Sequence, residues 1–280
     1  MRIAIIGGSG RMGRWCARFL LDDGKEVVIT GRNERKLAEA KKQLGVATAT
    51  NSEAVRGADV VLLSVPIDNF EAVAKEIAPY LKPKQVVVEI TSIKESPVEI
   101  MHKYLKTGLT LGVHPMFGPG AGSIAKQNFI LTPTNKEEKT LAQKVRQYLE
   151  VREASVTLMT PGQHDEMMAL ILGLPHFIAI VAADTLLSRG NIKQMEAVSG
   201  TTCKLLLTLV EGVISEDPEF YASLQMSLPN ITETEKLFQK SAKIWSDLVE
   251  KKDRSQFVRK MNALRDKLKK DNPDFGRAYH

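Results

Sequence analysis

The chain has 280 residues, 43% of them apolar and 26% charged, with 39 Lys+Arg against 33 Asp+Glu and a formal net charge of +6. That length suits one large or two ordinary domains with a packed core, and the composition excludes disordered and fibrous classes. Two cysteines, Cys16 and Cys203, are too few for a disulfide framework and lack metal-ligand spacing, so no metal site is expected. No apolar run approaches the ~20 residues that cross a bilayer. Met1-Arg2-Ile3 leads straight into a strand-like run rather than a cleavable signal. A cytoplasmic globular protein without membrane contact is therefore expected.

The first half alternates short apolar runs with helical patterns. Arg2–Ile6, Glu26–Thr30, Ala58–Ser64, Gln85–Ile90, Thr110–Val113 and Asn128–Leu131 are near-continuous in Val, Ile and Leu, as strands covered on both faces are. Helical stretches fall around Arg11–Asp22, Glu34–Leu44, Asn69–Leu81 and Ser96–Tyr104. The alternation predicts an α/β Rossmann-type, doubly wound parallel sheet. Near residue 160 the pattern changes. Thr160-Pro161-Gly162-Gln163 is a helix start with a capping box, and apolar residues run from Met167 to Leu187 with Pro175 as a kink. Further helices fit Lys193–Ile214, Glu233–Val249 and Asp253–Lys269. The expected division is a dinucleotide-binding domain over 1–157 and an all-α substrate-binding and dimerisation domain over 158–280.

The first strand runs into Gly7-Gly8-Ser9-Gly10-Arg11-Met12-Gly13. Gly8, Gly10 and Gly13 occupy the dinucleotide fingerprint, between a strand and a helix whose first amides face a pyrophosphate. A cofactor held by Gly8, Ser9, Gly10, Arg11, Met12 and Gly13 is expected. An NAD site places a carboxylate about 20 residues on, at the end of the second strand. Here that position reads Thr30-Gly31-Arg32-Asn33. A carboxylate would repel a 2′-phosphate and Arg32 could grip one, which favours NADP, with NAD as the alternative. Ser64-Val65-Pro66, at the carboxyl end of another strand, is expected to line the nicotinamide side.

Of five histidines, His102 and the terminal His280 read as idle. His114 ends the strand Thr110–Val113 at its carboxyl end, where an imidazole can act as a general base near neutral pH. The segment His114-Pro115-Met116-Phe117-Gly118-Pro119 resembles the catalytic-histidine segment of the prephenate/arogenate dehydrogenases of tyrosine biosynthesis. Thr91-Ser92-Ile93-Lys94, Met159-Thr160-Pro161-x-x-His164-Asp165 and Gly173-x-Pro175-His176-Phe177 resemble further motifs of that family, in order, over nearly the whole chain. The resemblance implies oxidative decarboxylation of prephenate to 4-hydroxyphenylpyruvate, with arogenate as the alternative substrate, in a homodimer joined through the helical domain. It also implies that His114 takes the ring-hydroxyl proton and Ser92 orients His114 or the hydroxyl. His176 then binds substrate, and Asp165 pairs with an arginine that guards the site.

His164 and His176 lie 12 residues apart, about 18 Å along a straight helix, so His164 is given only a structural or capping role. The family's carboxylate-binding arginine precedes an Asp-Pro turn, here Asp217-Pro218, where this chain reads Leu209-Val210-Glu211-Gly212-Val213. Lys204 is the nearest cation and stands in for it, with Arg189 as another candidate.

One other enzyme reading and two non-catalytic readings compete. A hydroxy-acid dehydrogenase would place a lysine early in the helix that follows Thr160, and none occurs before Lys193. A non-catalytic nucleotide sensor fits the missing arginine but not the retained His114 and Ser92. Nucleic-acid binding would need a basic stripe with aromatic platforms, whereas aromatics make up 6%. The basic surplus sits at the end of the chain, with 13 Lys+Arg against 6 Asp+Glu from Lys236 onward and 26 against 27 before it.

Overall fold

A computed structural model places residues 1–272; His280 lies outside the described residues. The first 158 residues alternate β1 (Arg2–Ile6), α1 (Arg11–Asp22), β2 (Glu26–Ile29), α2 (Glu34–Leu44), β3 (Ala47–Thr48), α3 (Asn51–Gly57), β4 (Val60–Leu63) and α4 (Ile67–Ile77). They continue with β5 (Val86–Glu89), α5 (Glu95–Tyr104), β6 (Leu109–Pro115), β7 (Asn128–Leu131), α6 (Lys136–Glu150) and β8 (Ser155–Leu158). The eight strands form one sheet in the order β3-β2-β1-β4-β5-β6-β7-β8. Side chains alternate across it. Ile3 and Ile5 of β1 pack with Cys16 and Ala17 of α1, while Ala4 and Ile6 face Phe70 and Ile77 of α4. Both faces are thus covered, which is why the strands are apolar throughout.

One pairing departs from the expected parallel order. β6 and β7 are antiparallel, with His114 opposite Ile130. They are joined by residues 116–127, which form no helix, and a parallel return would need a crossover element there. His114 lies within β6 rather than after it, because the antiparallel partner extends the strand to Pro115.

Beyond β8 the chain is helical: α7 (Pro161–Met168), α8 (Leu174–Arg189), α9 (Ile192–Val198), α10 (Thr201–Ile214), α11 (Pro218–Ser227), α12 (Ile231–Glu250) and α13 (Arg254–Asp271). Thr160 and Gln163 form the anticipated capping box at the start of α7. The apolar segment expected as one kinked helix is interrupted by a π turn at Ala169–Gly173, with Pro175 in the first turn of α8. Proline offers no N–H to the carbonyl four residues before it, and the wider turn accommodates that loss. The helix expected over Lys193–Ile214 breaks at Ser199-Gly200.

Two compact units result, Met1–Pro229 and a second beginning at Asn230. The change of structural class at 157/158 therefore lies inside the first unit. Side chains tie the helices after β8 to the sheet domain: Ser223 on α11 bonds Asp68 on α4, and Arg11 on α1 pairs with Glu216 just before α11. In the second unit, Trp245 of α12 meets Phe257 of α13 edge-on at 5.0 Å.

The expectation that no segment is long enough to cross a membrane needs correction. Pro161–Arg189 is continuously helical over 29 residues, with mean hydropathy 2.0, and meets that test by length and composition. Few of its apolar side chains are covered within one chain. Ile180, Val181 and Leu187 on α8, and Leu205 and Leu209 on α10, are exposed.

Candidate active site

The carboxyl ends of β1, β4, β5 and β6 share one edge of the sheet, because these strands run parallel. The glycine turn leaves β1 at that edge. Gly7 has φ +84, and a Cβ there would stand 2.2 Å from the carbonyl oxygen of Ser64, so both conformation and space demand glycine. A Cβ on Gly13 would lie 2.5 Å from the carbonyl oxygen of Gly7, so the first turn of α1 rests directly on the loop. Gly10 is the N-cap of α1 and no side chain caps it, leaving first-turn amides aimed at an anion. Arg14 braces the loop by donating Nε to the carbonyl of Ser9 at 3.0 Å. Met12 packs against the core beneath, and Ser9 sits against Gly31. This cradle fits a dinucleotide phosphate.

Arg32, just past β2, is exposed and donates to Asn69 Oδ1 at 3.1 Å. Thr30, Gly31 and Arg32 supply no carboxylate at this strand end. Ser64 donates its amide to Ile6, Val65 borders Gly7, and Pro66 is the N-cap of α4. The three residues stand directly beside the glycine turn.

His114 is 5% exposed, at the end of β6. Its Nδ1 lies 2.8 Å from His164 Nε2, and His164 Nδ1 lies 2.6 Å from Asp165 Oδ1. Asp165 also accepts the amides of Lys94 at 2.7 Å and Glu95 at 2.9 Å. Burial holds His114 well below the usual histidine range, reinforced by the charge of Lys94 and by His164. His164 is lowered by burial too, against the opposing pull of Asp165. Lys94 itself is fully buried, its ammonium on Glu89 and on the carbonyl of Thr91. Glu89 takes the amide and hydroxyl of Thr91 as well. Desolvation pushes Glu89 up and Lys94 down, each resisted by the other.

Two expectations change here. Asp165 has no arginine partner among the described residues; its lone pairs are taken by two backbone amides and His164, so it sits inside the network rather than at a substrate gate. Ser92, half-buried between β5 and α5, makes no hydrogen bond to His114 among the described residues. The side chain in contact with the ring nitrogen of His114 is His164, at 2.8 Å. The capping box at Thr160 was the available signal, since it fixes the start of α7 and turns His164 and Asp165 inward. His102 bonds Glu138 at 2.6 Å, a structural contact.

His176, on α8, packs edge-on against Tyr221 of α11 at 4.7 Å, and its buried Nδ1 has no hydrogen-bond partner among the described residues. Burial lowers its pKa and raises that of Tyr221. Gln225, one turn along α11, donates to the carbonyl of Gly173 at 3.0 Å, and its buried Oε1 has no partner among the described residues. The charges felt by Tyr221 are those of Glu216 and Arg11. Lys204 lies exposed on α10, and its ammonium makes no hydrogen bond or ion pair among the described residues.

Finally, Trp15 of α1 joins the glycine turn to the segment after His114. It meets Phe117 at 4.8 Å and donates Nε1 to the carbonyl of Ala121 at 2.6 Å.

Comparison with known proteins identifies the family. Residues 16–158 match the prephenate dehydrogenase nucleotide-binding domain, and residues 160–263 match the prephenate dehydrogenase dimerization domain. The chain belongs to the prephenate dehydrogenase family. A probable arogenate/prephenate dehydrogenase of Methanocaldococcus jannaschii is 37% identical over 265 residues, covering 93% of this chain and 59% of that protein. The T-protein of Enterobacter agglomerans is 28% identical over 94% of this chain and 66% of its own length. This chain thus spans roughly three-fifths to two-thirds of those relatives. In fold it resembles prephenate dehydrogenase from A. aeolicus, solved in complex with hydroxyphenyl propionate and NAD+. The TM-score is 0.79 at 22% identity, covering 97% of this chain and 98% of that one. Synechocystis arogenate dehydrogenase gives a TM-score of 0.70 at 19% identity, over 95% and 99%.

Proposed function

We propose that the chain is an NADP-dependent dehydrogenase that converts prephenate to 4-hydroxyphenylpyruvate by oxidative decarboxylation, with arogenate as the second substrate to test. One observation carries this reading: His114, a neutral buried imidazole, ends a strand at the sheet edge that also bears the glycine turn. A nicotinamide cofactor, when bound, supplies the hydride acceptor. Gly8, Ser9, Gly10, Arg11, Met12 and Gly13 would hold its pyrophosphate, Arg32 a 2′-phosphate, and Ser64, Val65 and Pro66 its nicotinamide side.

His114 Nε2 accepts the ring-hydroxyl proton as the carbinol C–H bond is broken. The ring C–carboxylate bond then breaks, CO2 leaves, its electron pair aromatises the ring, and the phenolate oxygen takes back the proton held on His114. The buried setting of His114 keeps it unprotonated and keeps water from the forming carbonyl. His176 and Tyr221 contribute a polar wall from the helical segment. Arg11 belongs to the glycine turn and is paired with Glu216, so the substrate carboxylate is assigned to Lys204, which is exposed and whose ammonium has no hydrogen bond or ion pair among the described residues. The exposed apolar side chains of α8 and α10, together with the match to a dimerization domain, support a homodimer that covers them. A cytoplasmic location goes with this reading.

The test is an assay at 340 nm with purified protein, prephenate or arogenate, and NAD or NADP. Reduction of NADP with prephenate supports the proposal; no reduced cofactor from any of the four combinations overturns it.

A further inference from the structure

We propose that His164 and Asp165 are positioning residues that fix His114 in the tautomer with hydrogen on Nδ1 and a bare Nε2. This rests on the reading of His114 as the base, but it begins from geometry alone. The oxygens of Asp165 already accept two backbone amides, from Lys94 and Glu95. A carboxylate so engaged only accepts, so the 2.6 Å contact with His164 places hydrogen on His164 Nδ1. His164 is completely buried and in its neutral form carries no second hydrogen. Its Nε2 must then accept across the 2.8 Å contact, and the hydrogen belongs to His114 Nδ1. The remaining nitrogen of His114, Nε2, is left with its lone pair.

The order of the chain matters. Were His164 doubly protonated, its Nε2–H would donate to His114 Nδ1, and a neutral His114 would carry its hydrogen on Nε2, where it cannot take a proton. The structure opposes that state. Lys94 places a positive charge beside both rings, and burial disfavours a further cation. Glu89 compensates Lys94 from the other side. Asp165 therefore sets His164, His164 sets His114, and Lys94, through its backbone amide, holds Asp165. The arrangement acts as the carboxylate–imidazole pair of a hydrolase triad does, lengthened by one ring. In such triads loss of the tautomer-setting group lowers kcat by ~10⁴.

Two-bond 1H–15N correlation spectra of the full chain labelled in histidine report which ring nitrogen carries hydrogen. We expect Nδ1–H and bare Nε2 for both His114 and His164 at pH 7. In His164→Leu the acceptor is gone, and His114 should shift toward Nε2–H. The kcat should drop by roughly 10² or more, while the KM for cofactor stays within about twofold. His164→Gln, whose amide oxygen can accept from Nδ1, should restore the native tautomer and part of kcat. Circular dichroism identifies a variant that has not folded, and the wild-type spectrum decides the matter without any variant. An Nε2–H tautomer at His114 in the wild type overturns the proposal, as does His164→Leu with unchanged kcat. If neither substrate turns over, the spectrum still decides the tautomer, and the failure then falls on the reaction alone.

Discussion

Lys94 donates its backbone amide to Asp165 and buries its ammonium against Glu89, so one residue anchors both the histidine network and a buried ion pair. Both charged side chains are 0% exposed, so loss of either partner leaves an uncompensated charge in the interior. Lys94→Met should destabilise the protein by about 3–5 kcal/mol, read by urea denaturation. Glu89→Gln with Lys94→Met should recover much of that loss, because both charges are then gone. A single variant as stable as wild type would show that water reaches the pair.

His114→Asn should lower kcat by about 10² or more with little change in cofactor affinity, the usual worth of general base catalysis. Steady-state kinetics with prephenate provide the measurement, and an unchanged kcat removes His114 from the reaction.

The same ring predicts the pH profile. Activity needs neutral His114, and its pKa in the protein lies well below 6.5. The acid limb of kcat should therefore fall below pH 6.5 rather than at it. A limb centred at or above 6.5 would mean that the bound state raises the base back to its ordinary range.

Stability should vary with pH in a definite direction. His114, His164 and His176 all have pKa values lowered by burial, so between the folded and unfolded values the unfolded chain binds more protons. Stability is then fully present above about pH 6.5 and lost as pH falls below it, by up to about 1.4 kcal/mol per pH unit for each histidine. Melting temperatures between pH 7 and 5 test this, and a flat profile contradicts it.

Arg32→Ala should weaken NADP by tenfold or more relative to NAD, since a charge-assisted bond to phosphate is worth about 1.5–3 kcal/mol. Equal losses for the two cofactors would place Arg32 outside the nucleotide site. In parallel, Lys204→Gln should raise the KM for prephenate with little change in the KM for cofactor; an unchanged KM for prephenate would remove Lys204 from the carboxylate.

Much of the α/β half was legible because its signals are local. Strand–turn–helix periodicity gave β1, α1, β2 and α2 nearly to the residue, and the glycine spacing gave the cradle. Other elements were less legible. β3 has two residues, too few for a period; α6 does carry an apolar face of Leu141, Ala142, Val145, Tyr148 and Leu149, set in a stretch otherwise rich in Lys, Glu and Gln. The reversal of β7 depends on a long-range pairing that periodicity does not encode. In the site, His114 was readable from its motif, but the partner of its ring was not. His164 lies 50 residues away, and only the packing of α7 against α5 and β6 brings the two rings together. The resemblance gives Asp165 an arginine partner, whereas two of the three groups that it bonds are backbone amides, which leave no trace in side-chain identity.

The indole of Trp15 is a mechanical link between two chemical tasks. It grows from the helix that begins at the phosphate turn, and it touches Phe117 and Ala121, just downstream of His114. On the proposed reading of the site, the separation between the nucleotide and the proton acceptor is set by a rigid aromatic spacer as well as by the sheet. Reaction rates depend steeply on such distances, and an error of 1 Å can cost about 10²-fold. A residue that contacts neither reacting group thereby helps to hold the tolerance of the whole reaction.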